Sequence, residues 1–291
     1  DYREYERGIA TWLNAALGPK VRNYLENLAR SLDYSSLAVM QSNGMTCSPE
    51  YASNHPVNLL LSGPAGGLIG ASHMAKAAGF EKIMTFDMGG TSTDVALIDG
   101  QISLTTEGQV GGYPVAIPMV EMHTIGAGGG SIARVDLGGL LQVGPSSAGA
   151  VPGPVCYGQG GKSVTVTDAN LVMGRLPLET QFPGGMRLDF EKAVEAIEDL
   201  AEVLGLSLNR AAQGVLEIVN NLMGQALKEI SIERGIDPTD FTLVPFGGSG
   251  GLHCCSLAEA LSLRAILIPA SAGVLSALGM TVAKPGRKLS R

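Results

Sequence analysis

Two periods govern the apolar positions of this chain, and they alternate along it. Over residues 4–32, Ile9, Trp12, Leu13, Ala16 and Leu17 recur at three and four residues. Val21, Leu25, Leu28 and Leu32 continue the stripe beyond Gly18-Pro19. This spacing predicts helix, broken at the Gly-Pro pair. The run LAVMQS reads as a strand, and a turn-rich passage then leads to a small-residue helix, GGLIGASHMAKAAG. The next stretch has period two. KIMTFDM, STDVALI and QISLTTEG are separated by Gly89-Gly90 and Asp99-Gly100, and an Asp-Gly pair between alternating runs signals a hairpin. A three-stranded antiparallel meander is expected. YPVAIPMVEMHTI and SVTVTDAN predict further strands. Beyond Leu188 the helical period returns: Phe190, Val194, Ile197, Leu200 and Leu204 form one face behind Asp189, a candidate N-cap. A second helix is expected over 208–234. FTLVPFGG and AILIP follow as strands, and GLHCCSLAEAL and AGVLSALGM as helices. The mixture indicates an α/β layered fold, a mixed sheet flanked by helices.

Composition sharpens this picture at three points. Of the 291 residues 45% are hydrophobic, enough for a sizeable core, and the net charge is −7. No basic face is concentrated anywhere, which argues against nucleic acid as a partner. Charged residues make up only 16%, below the roughly 25% of average domains. Glycine is in excess, at 40 residues, clustered at 126–130 and 247–251 between apolar runs, where backbone must approach something closely. The four cysteines (Cys47, Cys156, Cys254, Cys255) have no metal-ligand spacing, so reduced thiols and a cytoplasmic location are expected, with Cys254 and Cys255 both buried on a helix. The uncharged stretch 265–283 reaches membrane-spanning length. Its Pro269, Gly273 and Gly279 favour a strand, turn and helix instead.

The richest segment chemically is TFDMGGTSTDVALI. A buried strand ends at Asp87, turns through Gly89 and Gly90, and returns through Thr91, Thr93 and Asp94. Glycines let main-chain N–H groups face an anion, and the threonine hydroxyls add donors. Asp87 and Asp94 suit magnesium, or another divalent ion, held through its waters. This is not a Walker loop, since no Gly-Lys-Ser/Thr is present and the turn leads to a strand. In VPFGGSGGLHCC, Gly247, Gly248, Ser249 and Gly250 lie between a buried strand and a helix, a place suited to phosphate or adenosine.

Together these segments resemble the actin-like ATPase (ribonuclease H-like) fold, with SGPAGGLIGASHMA and SAGVLSALGM where its two connecting helices belong. A closer resemblance follows from NLLLSGPAGG, FDMGGTSTDV, HTIGAGGGSIARVD, VGPSSAGAVPGPVCYGQGG, VTDANLVMGR, ERGIDPTDFTLVPFGGSGGLH and AGVLSALGM. These motifs look like the hydantoinase A / 5-oxoprolinase family, which also includes the acetone carboxylase β subunit. The resemblance implies residues 1–78 as the tail of a first ATPase half, 79–272 as a second half with a glycine-rich insert, and 273–291 as a return helix and tail. The family's earlier Asp-Gly-Gly-Thr motif is missing, so a fragment that binds ATP poorly and is inactive alone is expected. The sequence departs from the family pattern at Gly251, usually Pro, and at Cys254, commonly Ala.

The resemblance further implies ATP and magnesium, and a subunit that opens a cyclic amide such as hydantoin, N-methylhydantoin or 5-oxoproline. Asp87 and Asp94 would serve metal and water, Gly89, Gly90, Thr91 and Thr93 phosphate, and 247–250 the nucleoside. A hydantoinase B-type subunit or a second copy would be the partner. An acetone carboxylase-type enzyme and a non-catalytic ATP-driven switch remain alternatives. On a continuous strand Glu121 and His123 share a face, which makes them candidates for the catalytic or substrate side, and His123 for metal. Asp168 and Asn170 either cap the next helix or belong to the site. Arg175 is a candidate partner for these carboxylates or phosphate, and His253 for the nucleotide.

Overall fold

The computed structural model describes residues 3–32, 37–179 and 185–286. It divides into two compact units: Asp1–Ile83 with Leu97–Met122 and Pro269–Arg291, and Met84–Ala96 with His123–Ile268. Segment 97–122 thus belongs with the first unit, whereas the sequence reading placed it inside 79–272. The tail after residue 286 lies outside the described residues.

In the first unit, α1 (Glu4–Ser31) runs through Pro19 without the expected break. The strand expected from LAVMQS shrinks to β1 (Val39–Met40), paired antiparallel with β2 (Thr46–Cys47). Ser48 caps α2 (Pro49–Asn54) by accepting the Tyr51 N–H. Helix α3 (Ser62–Ala77) forms as its small residues suggested. The hairpin β3 (Lys82–Met88) and β4 (Thr93–Asp99) carries the chain into the second unit and back. The meander then stops early. Of QISLTTEG, β5 (Gln101–Ile102) pairs with β4, while β6 (Leu104–Thr105) leaves it for β9 (Met119–Val120), past a small ribbon of β7 (Gly108–Val110) and β8 (Tyr113–Val115). YPVAIPMVEMHTI is therefore three short strands. Its Pro114 and Pro118 cannot donate to a ladder, and its backbone leaves the strand at Glu121-Met122.

The second unit resumes with β10 (His123–Ile125), antiparallel to β4, followed by the β11 (Ser131–Val135) and β12 (Leu141–Ser147) hairpin. SVTVTDAN gives one bridge, Ile132 to Thr165, and α4 (Val166–Val172) starts at once. Asp168 explains this early start. Its side-chain oxygens accept from the N–H and Oγ1 of Thr165 and the N–H of Cys156, each at 2.8 Å, forming a capping box around a fully buried side chain. Helix α5 (Phe190–Leu204) is capped by Asp189, as expected, and α6 (Leu208–Ile230) follows. Val215, Val219, Met223 and Leu227 on α6 are fully buried, each contributing about 1.5–3 kcal/mol. Strand β13 (Thr242–Phe246) is buried throughout and neighbours β3, giving the order β10-β4-β3-β13. AILIP contributes a single bridge, Leu243 to Ile266. Helix α7 (Cys254–Ala260) buries Cys254 but exposes Cys255, which corrects the expectation that both are buried.

The chain returns to the first unit in α8 (Leu275–Val282), which packs on α3 through backbone contact. A Cβ on Gly279 would overlap the Gly66 carbonyl, and one on Gly70 would lie 2.5 Å from the Leu275 carbonyl. This is why the small-residue pattern of both helices is needed. Among the described residues no helix is long and apolar enough to cross a membrane.

Candidate functional site

The hairpin between β3 and β4 sets the site's geometry. Its turn is closed by the Gly89 N–H donating to the Ser92 carbonyl at 3.0 Å, so that N–H is committed to the turn. Gly90 and Thr91 are exposed at its tip, and the Thr91 hydroxyl lies 3.3 Å from the Ser147 hydroxyl. Beyond the turn, strand alternation sorts the side chains. The β4–β10 register places Thr93 opposite Ile125, Asp94 opposite Thr124 and Val95 opposite His123. Thr93 and Val95 are fully buried on one face, and Asp94 lies on the other.

This sorting corrects one expected phosphate donor. The Thr93 hydroxyl donates to the Ala127 carbonyl at 2.6 Å, inside the core, and does not reach the turn's outer side. Thr93→Val should therefore cost stability, about 1–2 kcal/mol by thermal melting, while leaving the binding of an anion at the turn within about twofold of wild type. A large change in anion binding with unaltered stability would return Thr93 to the set of candidate phosphate donors.

Asp87 and Asp94 are the charged groups of the outer face. Asp94 Oδ1 accepts from the Thr124 hydroxyl at 2.6 Å; burial raises its pKa, and that hydrogen bond partly offsets the rise. The Asp87 carboxylate has no hydrogen-bond partner among the described residues, and burial together with the Asp94 charge raises its pKa to about 6. Two desolvated carboxylates that repel each other make a place where a cation is welcome. The donor set fits magnesium carried mainly by phosphate oxygens and water. It does not fit an all-protein cage: among the described residues no three His, Cys, Asp or Glu side chains gather as ligands.

The expected set of Asp87, Asp94 and His123 does not form. His123 points to the face opposite Asp94 and lies 3.3 Å from Glu229 of α6. The pair lines a cavity of about 400 Å³, with Ile125, Ala127, Val143 and Leu222 among its other walls. Glu121 falls outside any strand, in the first unit, with its N–H donating to the Ser103 carbonyl. The shared face expected for Glu121 and His123 required an unbroken strand, and the backbone breaks between them.

The two glycine runs converge on the hairpin. The Gly129 N–H donates to the Gly89 carbonyl (3.0 Å) and the Gly130 N–H to the Gly90 carbonyl (2.6 Å). A Cβ on Gly128 would lie 2.7–2.8 Å from backbone atoms of Gly90 and Thr91. From the other side, the Ser249 N–H donates to the Met88 carbonyl at 3.1 Å. Gly247, at φ +79°, passes so close to Asp87 that a Cβ there would meet its Oδ1 at 2.5 Å. The three turns thus meet around the end of β3. Gly248 is exposed, whereas Gly250 is buried against the Phe86 carbonyl and is turned away from the loop's open side.

The remaining candidates are structural in placement. Asp168 anchors α4. His253 is buried between Asn170 and Asn220, and Arg175 donates to the Leu252 carbonyl at 3.2 Å. Sequence reasoning missed Thr124, Ser147, Thr167 and Asn220. Of these only Thr124 carried a local signal, as the neighbour of His123 on the strand opposite Asp94.

Relatives of known activity cover the same elements. Caprolactamase subunit alpha of Pseudomonas jessenii is 41% identical over 95% of this chain and 41% of its own length. The crystal structure of that ATP-dependent caprolactamase superposes with a TM-score of 0.86, at 40% identity over 97% of this chain and 42% of that one. A nucleotide-free acetone carboxylase structure also gives 0.86, at 31% identity, over 97% of this chain and 41% of that one. The 5-oxoprolinase 1 of Arabidopsis thaliana is 34% identical over 97% of this chain and 24% of its own length. The chain thus spans less than half of the curated relatives it matches. The profile of the hydantoinase/oxoprolinase family matches residues 7–288, and the chain belongs to that family.

Proposed function

We propose that this chain is the nucleotide-handling part of an actin-like, ATP-dependent subunit that activates a cyclic amide for ring opening. One observation carries the reading: three glycine-lined turns meet at the end of β3 around two carboxylates with raised pKa values. Helix-free backbone turns of this kind suit a polyphosphate, and the carboxylates suit its magnesium. In this reading Gly90 and Thr91 offer N–H and hydroxyl donors to phosphate, Asp87 and Asp94 hold metal-bound water, and Gly247 to Ser249 border the nucleoside.

The chemistry follows from the substrate class. An unstrained cyclic amide resists water because resonance protects its carbonyl. ATP supplies a phosphoryl group to the carbonyl oxygen, which makes the carbon electrophilic. Two waters complete the reaction: one adds as the ring C–N bond breaks and the nitrogen leaves protonated, and one releases phosphate. The protein's share is positioning and charge neutralisation. The caprolactamase relative is named as one subunit of its enzyme, which supports a second, B-type subunit here. A carboxylase reading is favoured by the equal superposition on acetone carboxylase, and the lower identity to it ranks that reading second.

The test is to purify the longer protein with its partner subunit and follow ADP release. Release that depends on caprolactam, hydantoin or 5-oxoproline, with ring-opened product, is the expected result. Dependence on acetone plus bicarbonate would establish the carboxylase reading. Hydrolysis indifferent to both would leave an ATP-driven switch.

A further inference from the structure

Helix α4 carries Thr167 and Asn170 three residues apart, hence on one face. Thr167 gives both its N–H and its Oγ1–H to the Gly129 carbonyl, each at 2.8 Å, and Gly129 in turn donates to Gly89 in the hairpin turn. One turn further along, Asn170 Nδ2 lies 3.2 Å from His253 Nε2 and 3.1 Å from the Val166 carbonyl. His253 directly follows the loop that starts at Gly247. Its Nδ1 lies 2.7 Å from Asn220 Oδ1 on α6.

These contacts fix the tautomer. The Asn220 oxygen accepts, so Nδ1 carries the proton and Nε2 accepts from Asn170. His253 is 1% exposed, and burial plus the nearby Arg175 charge hold its pKa at about 4, so the ring is neutral through the physiological range. Asn170 Oδ1 is buried without a hydrogen-bond partner among the described residues. A buried unpaired amide oxygen costs stability. Packing alone would be better served by leucine, so the asparagine is there for the direction of its Nδ2.

We infer that Asn170, His253 and Asn220 form a positioning relay, and that with Thr167 it makes α4 a common bracket for the two glycine loops of the nucleotide site. The inference rests on the nucleotide reading above. None of the three side chains need touch nucleotide: they hold the loop that does. Loosening the relay should let the 247–250 loop drift from β3 and weaken ATP binding, leaving the transfer step itself nearly intact.

The experiment uses the full-length protein with its partner subunit, and magnesium AMP-PNP as the probe in calorimetry, beside steady-state kinetics. His253→Leu keeps the volume but removes both hydrogen bonds. His253→Gln keeps a donor toward Asn220 and an acceptor toward Asn170. Expected are a rise of about tenfold in Kd and in the KM for ATP for His253→Leu, kcat within about threefold, and His253→Gln near wild type. Asn220→Ala, at a half-buried position where folding is least at risk, should follow His253→Leu. Wild-type affinity in both His253→Leu and Asn220→Ala would overturn the relay while leaving the nucleotide reading intact. Equal loss in His253→Leu and His253→Gln would also overturn it, since the hydrogen bonds would then be irrelevant. A wild-type protein that fails to bind AMP-PNP would instead sink the nucleotide reading, and the relay with it.

Discussion

Asp87→Asn should abolish nucleotide-dependent turnover and at the same time make the protein more stable at neutral pH. The two effects have one cause. Asp87 sits in a desolvated position beside Asp94, and its pKa is raised from 3.8 to about 6. A carboxyl whose folded pKa exceeds its unfolded one binds protons more readily when folded. Its contribution to stability is then fully present below about pH 4 and is lost as pH rises through about 6. At pH 7.5 the ionised Asp87 therefore opposes folding. Two pKa units set a ceiling of about 3 kcal/mol, which partial exposure reduces to roughly 1–2 kcal/mol. Asparagine keeps the shape and removes the charge, so thermal melting without metal should rise by about 2–4 °C at pH 7.5 and be unchanged near pH 4. If the proposed function holds, turnover by the full-length protein with its partner should fall at least ~10²-fold, because that reading gives Asp87 the phosphate-bound cation to face. A variant that is less stable at pH 7.5, or that keeps a tenth of wild-type turnover, would remove Asp87 from the site.

That trade is visible in the sequence only in part. The placement of Asp87 and Asp94 was legible, because two apolar runs with a Gly-Gly turn between them leave few other foldings. The inward direction of Thr93 was legible as well: it shares parity with Val95, and a strand that buries Val95 must bury Thr93. Chemical expectation, that a hydroxyl beside glycines meets phosphate, obscured that simpler rule. The assignment of Glu121 and His123 to one face failed on the same rule applied across a break that the prolines foreshadowed. The relay partners of His253 lie 83 and 33 residues away, and no local pattern announces pairing at that range. Helix α1 running through Pro19 shows the limit of local rules from the other direction, since the Gly-Pro pair is a standard stop.

The run 126–130 shows what its glycines are for. The sequence required backbone to approach something closely there, and that something is the backbone of the hairpin turn. Gly128→Ala should therefore act at a distance on the nucleotide. The added methyl would sit 2.7–2.8 Å from the Gly90 carbonyl group and the Thr91 nitrogen. Backbone atoms have no rotamer to escape into, so the hairpin tip must be displaced or the hydrogen bonds from Gly129 and Gly130 must break. Displacing the tip moves the Gly90 and Thr91 donors that the proposed function aims at phosphate. An increase of at least about tenfold in the Kd for magnesium AMP-PNP is expected, with roughly 2 kcal/mol lost in stability. Gly224→Ala on α6 supplies the contrast within the same unit. There the nearest neighbour is Leu257 Cδ2 at 4.0 Å, and alanine should raise stability by about 0.5–1 kcal/mol without changing affinity. Unchanged AMP-PNP binding in Gly128→Ala would count against the hairpin tip as the place where phosphate is held, because a methyl at 128 must either displace that tip or break the two hydrogen bonds that hold it.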